Sequence, residues 1–254
     1  MKFSIVTISF NQKQYLKTCI DSILSQKGVE LEYIIVDPGS TDGSRELIAS
    51  YGEQIIKVFE LDAGPADGLN RGFAKATGDI YGFINSDDYL MPEALKCVAD
   101  FCERQKKIDS VFVTGHGLID RGTGKLSRVY PTVLTAEAML QVAAVMFQQS
   151  TFFSANLFKQ TKGFNVKNST CWDYELFLRF LTAGVQHAVI KKELAAFRLH
   201  EGSISGSGRL EERYFKDLDI LFQEFKGRPR GLQDFFVKYS LRLKREIKRK
   251  LWAA

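Results

Sequence analysis

The chain has 254 residues, of which 45% are hydrophobic, enough to bury one sizeable core, and it reads as one α/β domain with a modest extension. No run of about 18 apolar residues occurs, and the apolar stretch after Met1-Lys2 is too short for a secretory leader, so a cytoplasmic protein is expected. The formal charge of +5 sits at one end: seven basic side chains between 238 and 250 (Lys238, Arg242, Lys244, Arg245, Lys248, Arg249, Lys250) face one acid, Glu246, and the remainder holds 28 basic against 29 acidic residues. That near-neutral body excludes a general nucleic-acid binder. Cys19, Cys97, Cys102 and Cys171 show neither C-x-x-C spacing nor the density of a disulfide scaffold, and reduced thiols are expected.

In chain order, Phe3–Ser9 is β-branched and apolar on both faces, as a buried parallel strand requires. Asn11 closes it, and Tyr15, Cys19, Ile20, Ile23 and Leu24 then recur at helical spacing towards Gly28. A second strand, Tyr33–Val36, ends in the turn-forming run Asp37-Pro38-Gly39-Ser40-Thr41-Asp42-Gly43-Ser44. Arg45–Ser50 reads as a helix, Ile55–Glu60 as a strand, Asp67–Ala76 as a helix and Ile80–Ile84 as a fourth strand. This β-α-β-α-β order predicts a doubly wound, Rossmann-like, mostly parallel sheet that binds ligands at the carboxyl ends of its strands.

Beyond it come a helix from Pro92 to about Gln105, a strand at Val111–Val113, a turn at Arg121–Gly124 and a helix near Ala136–Ala144. Asp173–Leu181 is predicted helical, and Ala195–His200 extended, before the Gly-Ser-rich run 203–208. Phe236, Tyr239, Leu243, Ile247 and Leu251 fall three or four apart among basic residues, an amphipathic basic helix suited either to an anionic membrane surface or to packing on the domain.

Asp87-Asp88, just past the fourth strand, is the strongest local chemical signal. Two carboxylates at a turn can hold a hard divalent cation through oxygen, and the plainer alternative is a cap for the following helix.

Four segments, Ser4–Asn11, Val36–Ser44, Asp62–Gly72 and Ala76–Asp88, in this order and spacing resemble family 2 glycosyltransferases of the GT-A fold over roughly the first 205 residues. The resemblance implies an inverting enzyme that moves a sugar from a nucleoside-diphosphate-sugar donor to a glycan or lipid-linked saccharide acceptor, in cell-surface polysaccharide synthesis. It implies a GT-A domain over 1–205, with a nucleotide-sugar half (1–114) and an acceptor half (115–205), followed by a flexible loop and basic helical extension (206–254).

On this resemblance Ser86-Asp87-Asp88 occupies the place of the D-x-D-type motif, with Asn85 where many relatives carry its first aspartate. Asp87, Asp88 and His200 are then the candidate ligands of Mn²⁺ or Mg²⁺, His200 lying in a segment similar to R-x-H-x-x-S. Ser9, Asn11, Asp37, Asp62, Asp67, Asn70 and Ser86 become donor contacts, although ordinary turn chemistry also explains Asp37 and Asp42. Pro38 replaces an aspartate that reads the nucleobase in some relatives, leaving the base open.

Asp173, in Cys171-Trp172-Asp173-Tyr174-Glu175-Leu176-Phe177-Leu178-Arg179, matches the catalytic base; an acceptor hydroxyl is a poor nucleophile until its proton is removed, and a helix cap is a compatible role. Glu175 and Arg179 are expected to form a helix-surface pair. The run after His200 would make a lid over bound donor. No nucleic-acid partner is expected; peripheral membrane contact through 236–252 is.

Rival readings fare less well. A nucleotidyltransferase would carry a Gly-rich, Arg-containing loop where Ser9-Phe10-Asn11-Gln12 stands, and a dehydrogenase would carry G-x-G-x-x-G after a strand. A non-catalytic glycan- or membrane-binding protein on the same scaffold would have no need of both Asp87 and Asp173.

Overall fold

Strands that are apolar on both sides must be covered on both, and the sheet is built accordingly. A computed structural model describes residues 1–105, 108–200, 202 and 210–253. Its first half is β1 (Lys2–Ile8), α1 (Lys13–Leu24), β2 (Glu30–Val36), α2 (Ser44–Ser50), β3 (Ile56–Val58), α3 (Pro65–Ala74), β4 (Ile80–Asn85), β5 (Tyr89–Leu90) and α4 (Ala94–Gln105). The second half is β6 (Phe112–Asp120), β7 (Leu126–Val129), α5 (Ala136–Leu140), β8 (Thr151–Ser154), α6 (Ala155–Gln160), α7 (Trp172–Thr182), β9 (Ala188–Arg198), α8 (Glu211–Lys226) and α9 (Leu232–Ala253).

The sheet runs β3-β2-β1-β4-β8-β6-β9-β5, with β7 paired to β6. The block β3-β2-β1-β4 is parallel; β8 then pairs antiparallel with both β4 and β6, while β9 runs parallel to β6. This is the mixed α/β sheet flanked by helices that the element order predicts.

Neighbouring strand residues serve opposite faces. Val6, Ile34 and Val36 enter one core with Leu69 and Phe73 of α3, while Ile5 and Ile35 enter the other with Leu16 and Ile20 of α1 and Leu95 and Val98 of α4. On the first face α3 lies close to the strands, because a Cβ at Gly72 would come within 2.5 Å of Val6 and 3.0 Å of Val36. There Phe73 stacks on Tyr81 at 4.8 Å, and Phe153 meets Phe180 at 5.3 Å.

Most predicted elements appear within two or three residues of their expected bounds, but the strand expected at Val111–Val113 runs on to Asp120 and the extended segment expected from Ala195 begins at Ala188. The helix expected to run to Ala144 stops at Leu140, where Val142 takes a left-handed φ of 51°. The helix expected from Pro92 starts at Ala94, after Glu93 at φ 60°.

α8, in the expected extension, sends Leu218, Leu221 and Phe222 into the same core as α3 and α7. One expectation is corrected. Glu175 and Arg179 are not a surface pair. Glu175 is buried and receives Asn165 Nδ2 at 3.1 Å and Asn168 Nδ2 at 2.9 Å, with Arg179 Nη2 3.1 Å away, so it ties the 165–168 loop to α7.

Phe153, fully buried between α3, α6 and α7, tests this packing. Phe153→Ala is expected to cost about 3–5 kcal/mol of stability in urea unfolding, as truncation of a core aromatic does; a loss below about 1 kcal/mol would mean the aromatic cluster is loosely packed.

Candidate functional site

Parallel strands in register end together, so the residues that follow them form one edge. Ile8 is level with Val36 on one side and Asn85 on the other. The next residues are fixed by backbone bonds: Ser9 N–H to Val36 O (2.9 Å), Ser86 N–H to Ile8 O (3.2 Å) and Asp37 N–H to Val58 O (3.0 Å). Ser9, Asp37 and Ser86 are thereby brought together at the carboxyl edge. All three are buried, and among the described residues Ser9 Oγ has no hydrogen-bond partner, an unsatisfied polar atom of the kind a ligand satisfies.

The Asp37 carboxylate accepts from Gly39 N–H, Ser40 N–H and Ser40 Oγ–H at 2.6–3.0 Å, and from Arg45 Nε at 3.1 Å. Arg45 also donates to the Asp37 carbonyl and lies over the Phe59 ring at 4.8 Å. Turn chemistry and a place at the edge thus coincide in Asp37. Asp42 is turn chemistry alone, accepting from Lys13 N–H at the start of α1 and from Ser44 N–H. Asn11, at φ 52°, joins two loops: its N–H donates to Ser40 Oγ, and its Oδ1 accepts from Thr41 N–H.

Asp62 is half-buried, with Oδ1 accepting from Gly64 N–H. Burial and then the negative Asp67 and Asp37 raise its carboxyl above the usual range, against that hydrogen bond. Asp67 accepts from Ala63 N–H and Arg71 Nε, which hold it below that range. Asn70 has a different engagement from the one expected. Its Nδ2 donates to Phe164 O and its Oδ1 accepts from Phe164 N–H, both at 2.9 Å, joining α3 to the loop that leads into α7.

The two adjacent aspartates have different partners. Asp88 is fully buried: Oδ1 accepts from Arg198 N–H at 2.8 Å and Oδ2 from Gln149 Nε2 at 3.1 Å. Burial, reinforced by the Asp87 charge, pushes its carboxyl well above the usual range. Asp87, also buried though less completely, meets His200 instead, Oδ2 to Nε2 at 3.1 Å. Of the three expected ligands, the fold therefore pairs Asp87 with His200 and turns Asp88 inward. Among the described residues no cluster of three or more His, Cys, Asp or Glu is placed to hold a metal ion.

Sequence reading missed the side chains that hold this arrangement. Arg198 Nη1 donates to Asp87 O at 2.9 Å, and its guanidinium lies over Tyr15 at 4.9 Å and Tyr89 at 5.2 Å. Tyr15 in turn packs on the His200 ring at 4.4 Å. The segment containing Arg198 was legible as a motif, but its partners lie about 110 and 180 residues earlier in the chain. The lid expected at 203–208 lies outside the described residues.

Asp173 is the second residue of α7, half-buried, with Oδ1 accepting from Tyr174 N–H at 2.7 Å. Burial raises its carboxyl to about 6, against the lowering effect of backbone N–H groups at the helix start. The helix N-cap is Cys171, which makes no side-chain cap. Trp172 packs on Phe83 of β4 at 5.6 Å and on Phe164 at 5.3 Å, which sets the start of α7 against the strand that delivers Asp87.

The family model described as Glycosyl transferase family 2 matches residues 4–172. An uncharacterized glycosyltransferase of Nostoc sp. (strain PCC 7120) is 36% identical over 104 residues, 39% of this chain and 32% of its own length. The chondroitin synthase of Pasteurella multocida (strain Pm70) is 29% identical over 185 residues, 71% of this chain and 19% of the synthase. The chain thus spans about a third of the first relative and a fifth of the second. Among solved structures, S. aureus TarS 1–349 in complex with UDP-GlcNAc superposes with a TM-score of 0.70 at 19% identity, over 87% of this chain and 65% of that one. The mannosyltransferase PcManGT from Pyrobaculum calidifontis, solved with GDP-Man and Mn²⁺, gives 0.67 at 15% identity, over 94% and 68%. These structural matches show the GT-A fold.

The different partners of the two aspartates make a stability prediction. Asp88→Ala leaves the Arg198 N–H buried and unpaired and should cost about 1–3 kcal/mol, whereas Asp87→Ala should be nearly neutral in the same unfolding measurement. Equal effects would show that the two carboxylates are not divided in this way.

Proposed function

Because this chain belongs to glycosyl transferase family 2, we propose that it is an inverting enzyme that transfers a sugar from a nucleoside-diphosphate-sugar to a hydroxyl of a glycan or lipid-linked saccharide, in cell-surface polysaccharide synthesis. The observation that carries the reading is the shared carboxyl edge: Ser9, Asp37 and Ser86 in line, Asp87 and His200 beside them, and the Asp173 helix packed against the same strand.

In this reading the donor lies along the edge, with Ser9 Oγ supplying a polar atom that has no partner among the described residues. Asp62, half-buried with one carboxylate oxygen bonded to Gly64 N–H, is a further donor contact. Asn70 and Asn11 act by joining the loops that shape the edge. The turn at Pro38 leaves the nucleobase open.

A divalent cation, Mn²⁺ or Mg²⁺, would suit the carboxylate oxygen of Asp87 and the imidazole nitrogen of His200. Asp87 and His200 would hold it, and when bound it would offset charge on the departing diphosphate. Asp88 acts as a positioning residue by fixing Arg198, the strand end that carries His200, and the turn that carries Asp87.

Asp173 takes the proton of the acceptor hydroxyl as that oxygen attacks the anomeric carbon from the face opposite the leaving diphosphate. Its raised carboxyl suits the task, because a base titrating near 6 is ionised at neutral pH yet more basic than an exposed aspartate. The basic segment 236–252 favours a lipid-linked acceptor by keeping the enzyme near anionic headgroups.

The test is release of nucleoside diphosphate from a panel of sugar nucleotides, alongside donor binding by calorimetry. Asp173→Asn should lower turnover by about 10²–10⁴-fold with donor affinity unchanged; unaltered turnover would remove Asp173 from the mechanism. The parent enzyme should also show an acid limb. Since only the ionised carboxylate accepts a proton, the rate should be level well above pH 6 and fall as pH drops through about 6. A limb near 4 would mean that Asp173 titrates as an exposed carboxylate.

A further inference from the structure

The C-terminal helix α9 is amphipathic but attached to the domain by its polar side. Asp234 at its start is buried against Arg228 and Gln141. Farther along, Arg242 donates to Val142 O at 3.1 Å and Arg245 to Ala143 O at 2.8 Å. With the polar side engaged, the apolar side faces outward: Leu232 is 77% exposed, Tyr239 66% and Phe236 63%, and Phe235, Leu243 and Ile247 are about half exposed or more. At 3.6 residues per turn these six fall within about 120° of arc, one continuous stripe. A soluble helix ordinarily turns such a stripe inward. Among the described residues nothing covers it.

We propose that this stripe inserts into the interfacial layer of an anionic membrane, with the basic residues of α9 meeting its headgroups. The proposal deepens the functional reading and rests on it for the nature of the acceptor; the docking itself rests on the stripe and the charge. The charge selects the occupant. Residues 238–250 hold seven basic side chains against Glu246, and Asp234 already pairs with Arg228. Two copies packed stripe to stripe would bring two strongly basic segments together, whereas an anionic lipid surface complements both the apolar stripe and its cationic flanks. No described helix is long and apolar enough to cross a membrane, so the contact is peripheral.

Docking by this stripe also orients the enzyme. The carbonyls that Arg242 and Arg245 grip directly follow α5, and α5 is bonded to α7 through Tyr174 Oη–H and Met139 O. The membrane-facing helix is therefore tied to the part of the fold that carries Asp173. A lipid-linked acceptor would be met at the bilayer face.

Co-sedimentation of the full chain with phosphatidylcholine vesicles, with and without phosphatidylglycerol, tests this. Binding should require the anionic lipid and weaken with salt. Phe235→Ser/Phe236→Ser/Tyr239→Ser should weaken it by roughly a hundredfold, and Lys244→Glu, which changes two units of charge at an exposed position, by roughly thirtyfold. Circular dichroism shows whether the triple variant is folded, and the charge variant gives an independent reading if it is not. Donor binding, measured on the same proteins, should be unchanged, so a failed vesicle assay with intact donor binding overturns the membrane proposal and leaves the catalytic reading standing. Equal binding by parent and Lys244→Glu would overturn it. So would light scattering that shows a dimer of the parent, dissociated by the triple variant, since the stripe would then be covered by a second copy.

Discussion

The candidate site depends on one joint, in which the backbone N–H of Arg198 donates to the buried Asp88 carboxylate at 2.8 Å beside the pairing of β5 with β9. It joins the end of β9 to the turn after β4, two places 110 residues apart. Neither strand contacts the other directly, because β8 and β6 lie between them in the sheet. The bond acts together with the pairing of β9 to β5, the strand that directly follows this turn, where Tyr89 is level with Ala196 and Leu90 with Ala195. The Arg198 side chain completes the joint by donating to the Asp87 carbonyl and lying between the Tyr15 and Tyr89 rings. A buried carboxylate is costly unless its oxygens are hydrogen-bonded, and both are.

This division of labour explains why two adjacent aspartates are needed. One is fully desolvated and bonded to Arg198 and Gln149; its neighbour, displaced by one residue and less deeply buried, is bonded to His200. A similar logic operates on the acceptor side. Buried Glu175, with Asn165, Asn168 and Arg179, holds the loop that Asn70 also grips, and α7 begins where that loop ends. Asp173 is thus presented by a helix anchored through its neighbours, while its own carboxylate bonds locally to Tyr174 N–H.

The parallel half of the fold and the order of its motifs were legible because their causes are local. Runs such as Phe3–Ser9 are apolar on both faces, turn residues follow the strands, and Asp87-Asp88 falls at a strand end by simple counting. What escaped depends on distant partners. The i, i+4 spacing of Glu175 and Arg179 is the same on a buried face as on an exposed one, and only the irregular loop supplying Asn165 and Asn168 decides between them. α8 carries enough charge at Glu211, Glu212, Arg213 and Lys216 to read as part of an extension, although Leu218, Leu221 and Phe222 enter the core. Strand β9 pairs with β6 across a shift in register between Gly115 and Gly117, so its full length left no regular alternation to read. The amphipathic pattern of α9 was visible in the sequence; that its polar side would grip the domain was not.

The central claim is that the carboxyl edge binds a nucleoside diphosphate together with a divalent cation at Asp87. Thermal denaturation across a panel of nucleoside diphosphates, each with and without Mn²⁺ or Mg²⁺, tests it directly on the parent and on Asp87→Asn. The account predicts that at least one nucleotide raises the melting temperature of the parent only when metal is also present, and that Asp87→Asn loses the effect. No response to any combination, or a nucleotide response equal in both proteins and indifferent to metal, would contradict it.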